Sequence, residues 1–271
     1  FYNSVRNNAN YTNVLLLSNT SQGYSYNMYV RFEKPFTKGW TGSIAYSLGH
    51  SYGLNDGTSS TALSNYRYAY NINGLNNLDL ARNNNDQGSR VTLMLAKQFT
   101  YGKFASNLGL FYTGQSGQTL TYVFYGDLNG DDGSTVKSYS TAGGADILFV
   151  PTSSASFKAS GGLTPDQEFA AWQAYVNSDS YLKSHQGKNL ARNGSRLPWE
   201  NHVDFKFAED YNIAGSHKIT LSVAILNIGH LISNEWGKAY SAGNQELQPL
   251  NVGGFVQNGT TVTPLYTFNP S

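Results

Sequence analysis

From Ser25 to Glu33 large apolar side chains alternate with mostly polar ones: Tyr26, Met28, Val30 and Phe32 interleave with Ser25, Asn27, Tyr29, Arg31 and Glu33. Successive side chains of a strand point to opposite faces, so the run predicts a ribbon apolar on one side and polar on the other. The alternation returns between Thr41 and Tyr52, where Ile44, Tyr46 and Leu48 oppose Ser43, Ala45, Ser47 and Gly49. It returns again with Val91, Leu93 and Leu95 against Thr92, Met94 and Ala96, and with Val203, Phe205 and Phe207 against His202, Asp204 and Lys206. Ile219, Leu221, Val223 and Ile225, set against Thr220, Ser222, Ala224 and Leu226, make the cleanest ribbon. Shorter strands are expected at the two ends, one begun by Val14 and Leu16 and one near Pro264–Phe268. From Lys103 to Tyr125 the alternation is unusually long: Phe104, Leu108, Leu110 and Tyr112, an interruption at Gly114–Gln118, then Leu120, Tyr122 and Phe124. It reads as one strand carrying a glycine bulge.

The connections fall into two classes. Residues 34–40, 100–102 and 211–216 are short links, whereas Gly53–Gln87 and Gly126–Glu200 are long and polar. Short turns at one end and long loops at the other are the habit of outer-membrane barrels, with the turns periplasmic and the loops extracellular. The longer loop holds the one helical signal, a capping box at Thr164-Pro165-Asp166-Gln167 with proline at the first helical position, followed by Phe169, Trp172 and Val176 at helical spacing. A short helix folded over a barrel mouth is expected there, and Asn258-Gly259 marks a hairpin. The pattern therefore predicts an all-β protein: about eight strands of an antiparallel transmembrane β-barrel, with the apolar parity against lipid at Val30, Leu93, Leu95, Leu108, Leu110, Leu221 and Val223. The opposite parity is mostly Ser, Ala, Thr, Gly and Asn, too small to fill the lumen of an eight-stranded barrel, so a wider barrel is expected that this chain does not close alone.

Composition narrows the functional classes. Only 13% of residues are charged while 14% are aromatic, against about 25% charge in an ordinary soluble domain, so the surface is unusually neutral. A net charge of +1 supplies no strong field that would draw the chain to nucleic acid or to anionic lipid. There is no cysteine, hence no disulfide framework, thiolate metal site or thiol nucleophile. The mean hydropathy of −0.41 and apolar runs as short as Val14–Leu17 and Ile147–Val150 exclude a transmembrane helix. They leave a barrel open, because its lipid-facing residues are every second one. The opening at Phe1, without a signal-peptide pattern or TonB-box-like leader, and the ending Phe268-Asn269-Pro270-Ser271 read as those of a fragment.

Several strings resemble one family in its own order: Leu17-Ser18-Asn19-Thr20-Ser21-Gln22-Gly23-Tyr24; Gly126-Asp127-Leu128-Asn129-Gly130-Asp131, with Ala145-Asp146-Ile147-Leu148-Phe149-Val150-Pro151 beyond it; Arg192-Asn193-Gly194-Ser195-Arg196-Leu197-Pro198-Trp199; and Ile225-Leu226-Asn227-Ile228-Gly229. Together they resemble the C-terminal half of the barrel of Oar-like TonB-dependent receptors of Bacteroidetes, over nearly the whole of residues 1–271. The resemblance implies an outer-membrane transporter of about 22 strands with a plugged lumen, of which the N-terminal plug and the final strand are absent here. A Ser- and Thr-rich insertion between the aspartate run and Asp146 departs from the family pattern.

Asp127, Asn129 and Asp131, followed by Asp132, place oxygens at every second position of a Gly-rich turn, the arrangement a hard cation requires, and Asp146 can return as a further ligand. Calcium is the expected ion; the same residues also suit a solvated Asx-rich turn. Arg192 and Arg196 flank a glycine turn and can either meet a ligand or lipopolysaccharide phosphates, or pair with carboxylates across the wall. Tyr66, Tyr68 and Tyr70 alternate in a long loop and can stack on a ligand or pack within the loop. Trp40, Tyr46, Tyr112 and Trp199 suit aromatic girdles at the membrane interfaces. The five histidines show no metal spacing, Ser116 lies outside any nucleophile-elbow pattern, and no phosphate loop occurs, so no enzyme is expected.

The expected function is nutrient uptake through a TonB-dependent receptor in the cell outer membrane, with this chain supplying wall and loops. Its partners would be outer-membrane lipid and lipopolysaccharide, the remainder of its own receptor, the TonB complex through the absent plug, and a surface lipoprotein. Two rivals stand beside it. One is a complete small barrel serving as anchor or adhesin, and the other a secreted calcium-binding β-sandwich that binds carbohydrate.

Overall fold

The computed structural model describes residues 10, 14–125, 128, 146–214 and 217–269. They form an all-β protein, mostly antiparallel sheet with few helices. The larger sheet is a meander of long strands, β1 (Tyr24–Thr37), β2 (Trp40–Gly53), β4 (Gly88–Tyr101), β5 (Phe104–Gln115), β8 (Glu200–Ala214) and β9 (His217–Ile225), hydrogen-bonded in that order. The two-residue β3 (Ala81–Arg82) pairs with the end of β2.

The register carries the sequence alternation across the whole sheet. Phe32 stands opposite Ile44, Ile44 opposite Leu93, Leu93 opposite Tyr112 and Tyr112 opposite Val203, all with the apolar parity. One step away on the other parity, Arg31, Ala45, Thr92, Thr113 and His202 form a polar row. The seven residues expected to share an apolar face do share one, and on it Leu221 is 70% exposed and Val223 55%. On the polar face Ala45, Ala105, Thr113 and Ala208 are buried. Met94 and Phe111, side by side and exposed, interrupt the polar face.

The links at 38–39 and 102–103 lie at one end of the sheet, where β8 ends and β9 begins, and Lys38, Gly39 and Gly102 adopt positive φ to make them. A Cβ at Gly39 would stand 2.4 Å from the Gln98 carbonyl oxygen, so only glycine fits. The hairpins are stepped: Trp40 at the foot of β2 faces Lys97, and β4 runs on past it to Tyr101. Among the described residues β1 and β9 each pair on one side only, so the sheet they form is open.

Two sequence expectations are corrected. The Val14–Leu17 segment forms no strand, and Val14, Leu16 and Leu17 lie exposed, because no strand pairs with it among the described residues. Residues 103–125 are not one bulged strand. β5 ends at Gln115, and after a break at 116–118 the chain leaves the large sheet as β6 (Thr119–Tyr125), which enters a second one. β6 is buried on both faces, Thr119 and Thr121 included, so its alternation of size does not reflect an exposed side. Gly117 permits the break, since a Cβ there would stand 2.4 Å from the carbonyl oxygens of both Leu197 and Pro198.

The second sheet runs in the order β11 (Thr261–Phe268), β10 (Glu246–Asn258), β6 and β7 (Ser195–Arg196). The β10–β11 hairpin turns at Gly259, as Asn258-Gly259 signals, and β6 pairs with β10 in parallel. The expected helix is α2 (Pro165–Ser178), closed by the Thr164–Gln167 capping box and seating Trp172 and Val176 in a core with Phe124, Leu148, Leu250 and Tyr266. The Glu168 carboxylate is buried and accepts the Phe268 amide at 2.8 Å, tying α2 to β11. A short helix, α3 (Ser180–Ser184), follows, capped by Asp179. This lobe has the apolar interior of a water-soluble domain, the reverse of the large sheet.

Candidate functional site

The lobe is bolted to the loop end of the large sheet by the string Arg192–Trp199. Arg196 donates to the carbonyls of Gly117 and Asp86, each at 3.0 Å, and ion-pairs with the Asp86 carboxylate. Asp86 has no exposed side-chain surface; it also takes the Ser51 amide at 2.7 Å and lies 3.0 Å from Nδ1 of His50 on β2. Arg192 donates to the carbonyls of Gly53 and Leu54, with Asp56 at 3.9 Å. Burial lowers the affinity of both guanidiniums for their proton, and Asp56 and Asp86 act against that shift. Between the arginines, Asn193 is fully buried at φ 53° and donates to the Arg82 carbonyl and to Asn84, while its own amide donates to Thr121. Gly194 packs on the Tyr181 hydroxyl so closely that a Cβ would stand 1.9 Å from it. Both arginines therefore hold the backbone and carboxylates of this chain.

The three tyrosines lie in and after the short helix α1 (Ala62–Arg67), not on an alternating ribbon. Tyr66 donates to Asn76 at 3.0 Å and lines a groove of about 650 Å³ with the Val14–Leu17 segment. Tyr68, 53% exposed, stands over a pocket of about 50 Å³ lined also by Asp56, Thr58, Asn84 and Arg192. Tyr70 lines the same pocket and donates to Glu246 at 2.6 Å and to the Asn244 carbonyl at 3.1 Å. Burial, aided by the Glu246 charge, raises its phenol above the usual tyrosine range. The fold thus brings Tyr68, Tyr70 and Arg192 to one pocket, while Arg196 belongs to the Asp86 cluster.

Asp127, Asn129, Asp131 and Asp132 lie outside the described residues. Asp146 is buried, and its carboxylate accepts the Leu128 amide at 2.6 Å, which aims it at the segment carrying the aspartate run. Among the described residues no group of three or more His, Cys, Asp or Glu side chains is placed to hold a metal.

The apolar face of the large sheet carries rings at both ends. Tyr24 stacks on Tyr52 with centroids 4.9 Å apart, and Tyr46, Tyr112 and Trp199 lie toward the same loop end, the last two both donating to Asn201. At the turn end, Tyr101 stacks on Phe104 at 5.7 Å, and Phe104 meets Tyr211 at 5.0 Å. Sequence reading missed Asp86, His50, Asn193 and Glu246. Asp86 lies at the end of an asparagine string that looks like any polar turn, and no spacing links it to Arg196. No family model, curated protein or solved structure matches the chain.

Proposed function

We propose that the chain is wall and external loop structure of a wide outer-membrane β-barrel, and that the whole barrel is a receptor of the TonB-dependent type that takes up a nutrient. The carrying observation is inverted amphipathicity: large apolar side chains on one face of the large sheet are exposed, Leu221 by 70% and Val223 by 55%, while the opposite face holds mostly small and polar side chains. In water that arrangement leaves a large apolar surface uncovered, which a soluble domain does not tolerate; in lipid it is the expected one. The edges of β1 and β9, unpaired among the described residues, favour a wall section over a complete small barrel. A β-sandwich would need a second sheet on the apolar face, and the lobe sheet packs at the loop end instead. On this reading the lobe stands outside the membrane, the Tyr68 pocket faces incoming ligand, and calcium in the aspartate loop, with Asp146 beside it, steadies the lobe. Transfer into detergent tests the reading. The purified chain should stay folded and dispersed only in micelles or bilayers; a monomer stable in plain buffer would overturn it.

A further inference from the structure

At the turn end, the apolar face has a feature that a hydrocarbon contact does not explain. Lys34 and Lys97 lie on it by register, opposite Gly42 and Trp40, and the turns bring Lys38 and Lys103 to the same end. The Lys97 ammonium sits 4.9 Å over the Trp40 ring and 5.2 Å from the Phe99 centroid, and donates to the Lys38 carbonyl at 3.0 Å. Among the described residues none of these four lysines has a carboxylate within ion-pairing distance. The carboxylate nearest this rim on the same face, Glu209, is held by the hydroxyls of Tyr101 and Ser106, and Lys218 on the polar face is already paired with Asp210 at 3.2 Å. The loop-end rim carries Tyr24, Tyr26, Tyr46, Tyr52 and Tyr112 on its long strands and no lysine. The two rims differ in charge: both carry tyrosines, and only the turn-end rim carries lysines.

We infer that the turn-end rim, centred on Lys97 and Trp40, binds the phosphate head groups of phospholipid. An ammonium resting on an indole at the edge of an apolar band sits at head-group depth, with its stem along hydrocarbon and its charge at the phosphates. Short barrel turns lie on the periplasmic side, whose leaflet is phospholipid, so the occupant is phospholipid and not lipopolysaccharide. This inference rests on the wall reading above.

Native mass spectrometry of the detergent-solubilised chain with added phosphatidylglycerol, phosphatidylcholine or lipid A tests it. The unmodified chain should retain phosphatidylglycerol in preference to phosphatidylcholine. Lys97→Gln should weaken that preference about fivefold, the contribution of roughly one lysine at an anionic surface. Replacing all four lysines with glutamine should abolish it, while the four arginine replacements and Tyr24→Phe/Tyr26→Phe keep it. If the glutamine set loses its strand spectrum, the Lys97→Gln and arginine comparisons decide. Equal retention of the two phospholipids, a preference that survives the glutamine set, or lysine-dependent retention of lipid A alone would overturn the inference. A chain that stays soluble and holds neither lipid nor detergent would instead overturn the wall reading beneath it.

Discussion

Asp86 concentrates the cost of joining the lobe to the sheet in one carboxylate. Removing a partner from a buried ion pair leaves an uncompensated charge and costs about 3–5 kcal/mol. Arg196→Ala should therefore destabilise the lobe by about 3 kcal/mol, read as an earlier urea transition of the buried Trp172 fluorescence in micelles. Arg196→Lys should recover only part of it, because one ammonium cannot serve the Asp86 carboxylate, the Asp86 carbonyl and the Gly117 carbonyl together. The aspartate run makes its own prediction at this scale. Carboxylates confined to one turn repel unless a cation offsets them, so calcium titration should release or absorb heat with the unmodified chain and not with Asp127→Ala/Asp131→Ala. No heat from either at millimolar calcium would leave a polar turn. Few of these contacts were legible in advance, because Arg196 and Asp86, or Tyr70 and Glu246, are brought together only by the tertiary fold, with no local pattern to mark them.

Elements were legible where one face alternates and the other contrasts with it, as in β1, β2, β4, β8 and β9. The pattern failed for β6, whose two faces are both buried, and for β10, where Pro249 and the Gly253-Gly254 pair interrupt the alternation and a bulge shifts the register. Helix α2 was legible because its capping box is a local signal that tertiary structure did not override. Thr164→Ala should cost about 1 kcal/mol through the lost cap. Gly117→Ala should cost about 1–3 kcal/mol, because the clash is with backbone; Gly109→Ala, whose Cβ would find its nearest neighbours at 3.9 Å, should cost less. The lobe also has an alkaline limit. Burial raises the phenols of Tyr122, Tyr175 and Tyr181, and pushes Tyr266 up to about 12. The unfolded chain ionises first, so the stability these groups confer is complete below about pH 10 and is lost as pH climbs toward 12. Absorbance at 295 nm should show late phenolate formation coincident with loss of the Trp172 signal, and Tyr266→Phe should move that midpoint upward.

On the proposed reading the whole molecule answers to two solvents. Leu221, mid-strand on the apolar face, is the sharpest probe: Leu221→Arg should cost about 2–4 kcal/mol if it lies near a bilayer midplane, and an unchanged unfolding midpoint in lipid vesicles would count against that environment. The two sheets also impose a chronology. β6 precedes β8 and β9 in the chain, and its parallel partner β10 follows them, so the lobe cannot close until the intervening hairpin has descended and returned. Pairing across so long an intervening segment is slow to form. A one-residue slip in the β8–β9 hairpin would turn every side chain of the slipped strand to the wrong face and deliver β10 to β6 displaced, with Leu250 missing its place among Phe124, Trp172 and Tyr266. On the wall reading, closure of the lobe is thus a proofreading step: it can complete only on a β8–β9 hairpin that has paired in register.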